Sequence, residues 1–92
     1  MAETIYLIKT KLLEQQFLED RGMIFIDRAF RDRMEAEKYI NTKVQFYSGY
    51  CWENNPKFFS YNVGKETTDF NTKEEVEEYV RRLYHIERVQ LF

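Results

Sequence analysis

Residues 44–63 have the sequence VQFYSGYCWENNPKFFSYNV, and the interpretation of this stretch decides the predicted fold. Seven aromatic residues lie between positions 46 and 61. A domain of 92 residues can bury only some of these rings. We therefore expect the remaining rings to form a contact surface.

Two strands joined by a loop are predicted within this stretch. Residues 44–47 are rich in the β-branched and aromatic types that favour strands. Phe59, Tyr61 and Val63 alternate with polar residues, which is typical of a half-buried strand. Between them, residues 53–56 (Glu-Asn-Asn-Pro) favour a surface loop, because Asn tolerates turn geometry and Pro lacks a backbone donor.

One helix is predicted on each side of this stretch. Asp32 precedes Glu35 by three residues, the spacing of a capping box, and this short helix is expected to end at residues 41–42 (Asn-Thr). Thr72 and Glu75 repeat the spacing ahead of a second helix. The apolar stripe of that second helix is Val76, Tyr79, Val80 and Leu83.

Three further strands are predicted outside these elements. Residues 4–13 favour a strand, although a helix from residue 4 to residue 18 stays open because the apolar residues also fit helical spacing. Residues 23–26 (Met-Ile-Phe-Ile) form an apolar run typical of a central strand covered on both faces. Val89 and Leu91 alternate with polar residues in a final strand.

The predicted order from residue 22 onward is strand, helix, strand, strand, helix, strand. This is the order of a ferredoxin-like βαββαβ domain. We therefore predict one α+β domain over residues 1–92. Its sheet is expected to be mostly antiparallel with four to five strands, to have two helices on one face, and to include an extra strand at the N-terminus.

Composition favours a cytoplasmic protein that does not bind membranes. The chain has a single cysteine, Cys51, which excludes an intramolecular disulfide and favours a reducing compartment. The first residues include an acid where a signal peptide would have positive charge. The longest apolar runs are far shorter than the roughly 20 residues that cross a bilayer.

No motif for catalysis, a cofactor or a metal is present. One histidine and one cysteine are too few for a typical zinc site, and the three glycines are isolated rather than clustered around a phosphate. A pair of Cys51 with His85, or a pair of carboxylates, is the only catalytic arrangement to consider, and no spacing supports either. We predict a non-enzyme without catalytic, cofactor-binding or metal-binding residues.

Residues 24–40, IFIDRAFRDRMEAEKYI, resemble a pattern found in small bacteriophage-encoded accessory and anti-defence proteins. In that pattern an apolar strand leads to a phenylalanine, here Phe30, and then through a polar turn to a helix that begins A-E-K-Y-I, here residues 36–40. The resemblance implies a stoichiometric binder of a host or phage macromolecule. It assigns no site residues to this chain.

The predicted function is that of a small binding protein acting through protein–protein interaction. Tyr50, Trp52 and Phe58 flank the predicted loop at residues 53–56 and are the predicted partner-binding residues, because aromatic side chains are common interface anchors. With the resemblance, this predicts an inhibitor or modulator of a host complex such as a defence system. A homodimer stays open.

The alternative function is a small module that binds RNA or single-stranded DNA. Phe59 and Tyr61 would lie on the third strand of the βαββαβ order, where such domains stack bases on aromatic rings. The net charge of −2 disfavours this alternative, and residues 57–64 (KFFSYNVG) lack the glycines and basic residues of the stacking motif in such domains. A nucleic-acid partner is therefore not favoured.

Overall fold

The computed structural model describes residues 3–12 and 24–91 and shows an α+β fold with a three-stranded antiparallel sheet. The strands are β1 (Glu3–Thr10), β2 (Phe25–Phe30) and β3 (Tyr84–Leu91). Their order is β2-β1-β3, so the first strand is central and the last described strand lies at an edge.

A β-bulge interrupts the pairing of β1 with β2. Ile8 and Lys9 of β1 are consecutive, but they lie opposite Arg28 and Ile26. Asp27 is therefore an extra residue on β2, and extra residues of this kind re-aim neighbouring side chains. The pairing of β1 with β3 is regular along both strands.

A continuous helical rod follows β2. It consists of α1 (Arg33–Gln45), a π-helical segment (Phe46–Cys51) and the short α2 (Trp52–Asn54). Asp32 caps the N-terminus of α1, as predicted, and its carboxylate accepts a hydrogen bond from the backbone N–H of Met34 at 3.0 Å.

The third helix, α3, spans Pro56–Val63 and has recognisable signals at both ends. The Asn55 side chain accepts the backbone N–H of Phe58 at 3.3 Å, and proline occupies the first helical position. Gly64 ends the helix with φ at 78°, a left-handed conformation that glycine adopts without strain.

A short 3₁₀ turn (Thr67–Asp69) leads to α4 (Lys73–Arg82). The Thr72 hydroxyl accepts the backbone N–H of Glu75 at 3.3 Å, which is the predicted cap. None of the helices within residues 24–91 is long and apolar enough to cross a membrane.

The core lies between the helices and the face of β1 that contains Ile8 and Thr10, both of which are fully buried. The helices contribute most of the other buried side chains. The buried apolar residues are Ile8, Leu12, Ala36, Ile40, Val44, Tyr47, Cys51, Phe59, Val63, Val76, Val80 and Tyr84.

The predicted strand at residues 44–47 is wrong, because the first helix does not end at residues 41–42. Thr42 stays helical, with its hydroxyl donating to the carbonyl oxygen of Lys38 at 3.0 Å. Burial then continues at helical spacing, every three or four residues. The buried apolar positions of the rod are Ala36, Ile40, Val44, Tyr47 and Cys51.

The predicted strand at residues 59–63 is also wrong. A strand would bury alternate residues, but Tyr61 is 45% exposed whereas its neighbour Asn62 is buried. The proline at position 56 and the glycine at position 64 mark the start and end of a helix instead. With both strands replaced by helix, the ferredoxin-like order and the four- to five-stranded sheet are wrong. The α+β class is confirmed.

The predicted central strand at residues 23–26 is wrong in its position. The observed strand β2 begins at Phe25 and lies at an edge, because β1 occupies the centre of the sheet. Ile24 and Ile26 are 61% and 62% exposed, so this apolar run is not covered on both faces. Met23 lies outside the described residues.

Two other elements agree with the prediction. The strand predicted over residues 4–13 is confirmed as β1 as far as Thr10, while residues 13–18 lie outside the described part of the chain. The predicted apolar stripe of α4 is confirmed, with Val76 and Val80 fully buried and Tyr79 and Leu83 half-buried.

Candidate functional site

The aromatic residues between positions 46 and 61 divide into an inward set and an outward set. Tyr47 and Phe59 point inward and have no exposed surface. Tyr50 and Tyr61 are 58% and 45% exposed. The outward set, which we call the aromatic surface, consists of Phe46, Tyr50, Phe58 and Tyr61.

Phe46 is the centre of the aromatic surface. The Tyr50 ring stacks on it, with centroids 5.8 Å apart and planes inclined by 14°. The Phe58 ring meets the Phe46 ring edge-on, with centroids 6.0 Å apart. The buried Tyr47 ring lies behind them, with its centroid 5.1 Å from that of Phe46 and 6.4 Å from that of Phe58. These contacts order the rings in advance, so a partner would meet an apolar surface at a reduced entropy cost.

The π-helical segment positions these rings. Phe46 and Tyr50 both belong to it and lie four residues apart, while α3 brings Phe58 against Phe46 from the other side of Asn55. A π-helical turn is rare and is found frequently at functional sites. Its presence beneath Tyr50, whose ring is 58% exposed, makes this part of the molecule the best candidate site.

The structure places the three predicted contact residues in two different settings. Tyr50 is exposed, and Phe58 is half-buried beside Phe46. Trp52 is half-buried, and its indole N–H donates to the carbonyl oxygen of Thr67 at 3.0 Å. Residues two apart on a helix do not face each other, so Tyr50 and Trp52 do not belong to one patch.

Sequence reasoning missed two members of the aromatic surface, Phe46 and Tyr61, because both were placed on strands. A signal for them exists in the spacing. Phe46 precedes Tyr50 by four residues, and Phe58 precedes Tyr61 by three. Side chains three or four apart are neighbours on a helix surface, so these pairs share a face once the stretch is helical.

The sheet platform proposed for nucleic-acid stacking is not present. Phe59 and Tyr61, which were predicted on a strand, both lie on α3. Phe59 is fully buried and meets Phe70 edge-on at 5.8 Å, so its faces are not available to a base. The specific geometric argument for RNA or single-stranded DNA binding is therefore wrong.

The catalytic and metal-binding candidates also lack supporting geometry. Cys51 is fully buried in the π-helical segment, whereas His85 is exposed on β3. No group of three or more His, Cys, Asp or Glu side chains within residues 3–12 and 24–91 is arranged to hold a metal ion.

Tyr39, which lies at the joint between β2 and α1, has a perturbed pKa. The hydroxyl of Tyr39 donates to Oδ2 of Asp27 at 2.9 Å. Arg28 and Lys43 lie over the Tyr39 ring at 5.2 Å and 5.5 Å from its centroid. Burial and the hydrogen bond to the Asp27 carboxylate raise the pKa of Tyr39. The cluster fastens β2 to the helical rod.

Comparison with other proteins supplies no function for this molecule. No protein-family model, no curated protein and no solved structure matches the chain. The functional conclusion therefore depends on the residues themselves and on their geometry.

Proposed function

We propose that this chain is a non-catalytic binding protein that contacts a protein partner through the aromatic surface. The observation that supports the proposal is the Tyr50 ring, which is 58% exposed yet held in place by stacking on Phe46. Tyrosine and phenylalanine rings in ordered positions are common anchors of protein interfaces. An exposed aromatic cluster without a partner would instead promote aggregation.

The surroundings of the aromatic surface also suit an interface. Glu53, Asn54 and Lys57 lie between Tyr50 and Phe58 in the chain, and all three are exposed. Protein interfaces commonly combine an apolar centre with a polar, solvated rim. The arrangement therefore fits a partner with a hydrophobic pocket bordered by polar groups.

We extend the proposal to an inhibitor or modulator of a host macromolecular complex, acting in the cytoplasm. The support is the resemblance of residues 24–40 to small phage accessory proteins, together with the single cysteine. Two residues of the resembling pattern, Phe30 and Tyr39, contact each other with ring centroids 5.6 Å apart. A binder that acts in stoichiometric amounts needs no catalytic group.

The test is a capture experiment followed by quantitative binding. The chain is immobilised, exposed to a nuclease-treated bacterial lysate, and the captured protein is identified and purified. Calorimetry then compares the wild type with Tyr50→Ala and with Met34→Ala, a control that removes an apolar side chain that is 64% exposed. We expect Tyr50→Ala to weaken binding by about 2 kcal/mol or more, with little loss of stability.

Three outcomes would contradict the proposal. Equal binding by the wild type and Tyr50→Ala would remove the aromatic surface from the interface. Equal weakening by Met34→Ala and Tyr50→Ala would indicate a general loss of apolar area. Capture that succeeds from an untreated lysate but fails from the nuclease-treated one, and that weakens steeply with salt, would favour the nucleic-acid alternative. Sedimentation of the chain alone shows whether a second copy occupies the surface.

A further inference from the structure

A groove of about 410 Å³ lies where α1, α4 and the first residues of β3 meet. Its volume falls within the range of roughly 300–1,000 Å³ that is typical of small-molecule sites in proteins. None of the four residues of the aromatic surface lines the groove, so a ligand here would occupy a second site. The chemistry of the lining indicates what that ligand could be.

The buried part of the lining is apolar and lies on the helix-facing side of the sheet. Ile86 is half-buried and lies opposite Ile8, the fully buried residue of β1 that faces the helices. Tyr84 is two residues earlier on β3 and therefore has the same orientation. Tyr84 and Ile40 of α1 are each 6% exposed. These three side chains give the groove an apolar floor.

Polar side chains border this floor. Arg33, Glu37 and Asn41 follow one another at intervals of four residues, so they lie along one side of α1. Nε of Arg33 and Oε1 of Glu37 are 3.2 Å apart, and each side chain neutralises the charge of the other. Arg81 reaches the groove from the last turn of α4. Its charge decides the balance.

Arg81 has no acidic partner within the described part of the chain. Its Nη1 donates to Oδ1 of Asn41 at 2.7 Å, a contact that joins α4 to α1 and holds the guanidinium at the groove. A guanidinium has five N–H donors, so most of those of Arg81 are not used by Asn41. The groove therefore has one net positive charge, and His85, which also borders it, adds to this charge only when it is protonated.

We propose that this groove binds a small organic carboxylate, with its carboxylate group paired to Arg81 and its apolar part lying over Ile40 and Ile86. A planar guanidinium can bind both oxygens of a carboxylate through two parallel hydrogen bonds. One negative charge on the ligand balances the net charge of the groove. The site does not depend on the aromatic surface, so either proposal can fail without the other.

An acidic side chain of a protein partner is the less suitable occupant. The carboxylate of an aspartate or glutamate would satisfy Arg81 but would leave the apolar floor uncovered. A molecule that joins a carboxylate to an apolar ring uses both parts of the groove, and burial of the ring adds to the affinity.

The probe is indole-3-acetate, titrated into the isotope-labelled full chain at about pH 7.5, where an ordinary histidine is mostly neutral. Amide chemical shifts in nuclear magnetic resonance follow the binding and locate it. Indole-3-acetamide is the neutral twin of the probe, and acetate is the twin without the ring. The protein variants are Arg81→Gln and the matched control Arg82→Gln, which changes a neighbouring arginine that pairs with Glu78 and does not line this groove. A dispersed amide spectrum checks that each variant is folded.

We expect saturable binding of indole-3-acetate with a Kd of about 1 mM, and the largest shift changes at residues 40–41 and 81–86 rather than at Tyr50. Arg81→Gln should weaken binding about fivefold or more, because a charge-assisted hydrogen bond is lost. Arg82→Gln should stay within about twofold of the wild type. The acetamide and acetate should each bind at least about fivefold more weakly than the probe.

Several results would overturn the proposal. Equal binding of indole-3-acetate and indole-3-acetamide would show that the charge is not recognised. Equal binding of acetate would favour an acidic side chain of a protein partner instead. An equal effect of Arg82→Gln, shift changes centred on the aromatic surface, or absence of saturable binding would each contradict a carboxylate site in this groove.

Discussion

The inward and outward aromatic sets come from the same short stretch of chain but have opposite surroundings. Phe59 is fully buried, and its ring contacts that of Phe70 with centroids 5.8 Å apart. The Phe70 ring in turn contacts that of Tyr79 at 5.5 Å, so this row of rings links α3 to α4. Among residues 3–12 and 24–91, the Tyr50 ring contacts only that of Phe46, and more than half of the Tyr50 surface is exposed. Residue type does not distinguish the sets, since both contain Phe and Tyr.

The helical phase of the chain separates the two sets. Tyr47 and Phe59 lie on the sides of their helices that face the core, and the neighbouring rings at positions 46 and 58 lie towards solvent. Packing requires the first set. The second set retains exposed surface, and the proposed function assigns it to a partner. Under the proposed function, one dense aromatic stretch supplies a core and a contact surface at once.

The largest expected effect tests the inward set. Phe59→Ala should lower the free energy of unfolding by about 3–5 kcal/mol, because it removes a fully buried ring and leaves a cavity next to Phe70. Urea denaturation followed by circular dichroism measures the loss. Tyr61→Ala, two residues away and 45% exposed, is the control and should cost less than about 1 kcal/mol. Similar losses in the two variants would erase the distinction between the sets.

The second prediction concerns Trp52, which is half-buried and donates its indole N–H to the carbonyl oxygen of Thr67. Trp52→Phe should lower the free energy of unfolding by about 1 kcal/mol, because the carbonyl oxygen of Thr67 loses its indole donor. Trp52→Ala should cost about 2 kcal/mol, because it also removes packed apolar surface.

Partner binding then decides the role of Trp52, which the sequence predicts to be a contact residue. We expect both variants to bind the captured partner, per folded molecule, as tightly as the wild type. A loss of affinity in Trp52→Phe without a loss of stability would place Trp52 in the interface with Tyr50.

The parts of the fold that could be predicted from the sequence are those with local signals. Asp32 and Thr72 each cap a helix through their own side chains, so a few residues are sufficient to locate the helix start. The stripe of α4 is unambiguous because charged residues separate its apolar positions at a period of 3.6. The alternation in β3 is equally local.

Residues 44–63 could not be assigned in the same way. Their apolar and aromatic residues are so dense that the helical period of 3.6 and the strand period of 2 both fit. Burial in the folded molecule decides between helix and strand. Thr42 is predicted to end the helix, yet its hydroxyl donates to a carbonyl oxygen within the helix. Gly49 stays helical in the π-helical segment and lies against the Lys73 side chain. The contact of Gly49 with Lys73 is tertiary and invisible in the sequence, whereas the Thr42 hydrogen bond is local and forms once the helix continues.

The candidate site was only partly predictable for the same reason. Proximity to polar residues was enough to single out Tyr50 and Phe58. Phe46 and Tyr61 join them only when the stretch is helical, because a strand would place the members of these pairs differently. An error in secondary structure thus became an error in the composition of the surface.

The smallest expected effect concerns Tyr39, a half-buried tyrosine held by polar contacts as well as by its ring contact with Phe30. Its pKa is raised by burial and by the hydrogen bond to Asp27, so the fold favours the neutral phenol. This contribution to stability is complete below the unfolded pKa of about 10 and is lost as the pH rises through the higher pKa of the folded state.

The wild type should therefore lose more stability in alkaline solution than Tyr39→Phe does. Urea denaturation at neutral pH and at several alkaline pH values measures the difference. Asp27→Asn is the matched variant, because an amide can accept the same hydrogen bond without a charge, and its alkaline loss should be intermediate. Identical pH dependence in the wild type and Tyr39→Phe would show that the Tyr39 contacts do not stabilise the fold.

The central claim is that residues 44–63 are helical on both sides of Asn55, since this phase separates the two aromatic sets. Backbone nuclear magnetic resonance of the isotope-labelled chain tests it most directly. We predict helical Cα chemical shifts over residues 44–54 and over Pro56–Val63, with a break at Asn55. Extended-strand shifts at residues 44–47 and 59–63 would contradict the account and restore the two predicted strands.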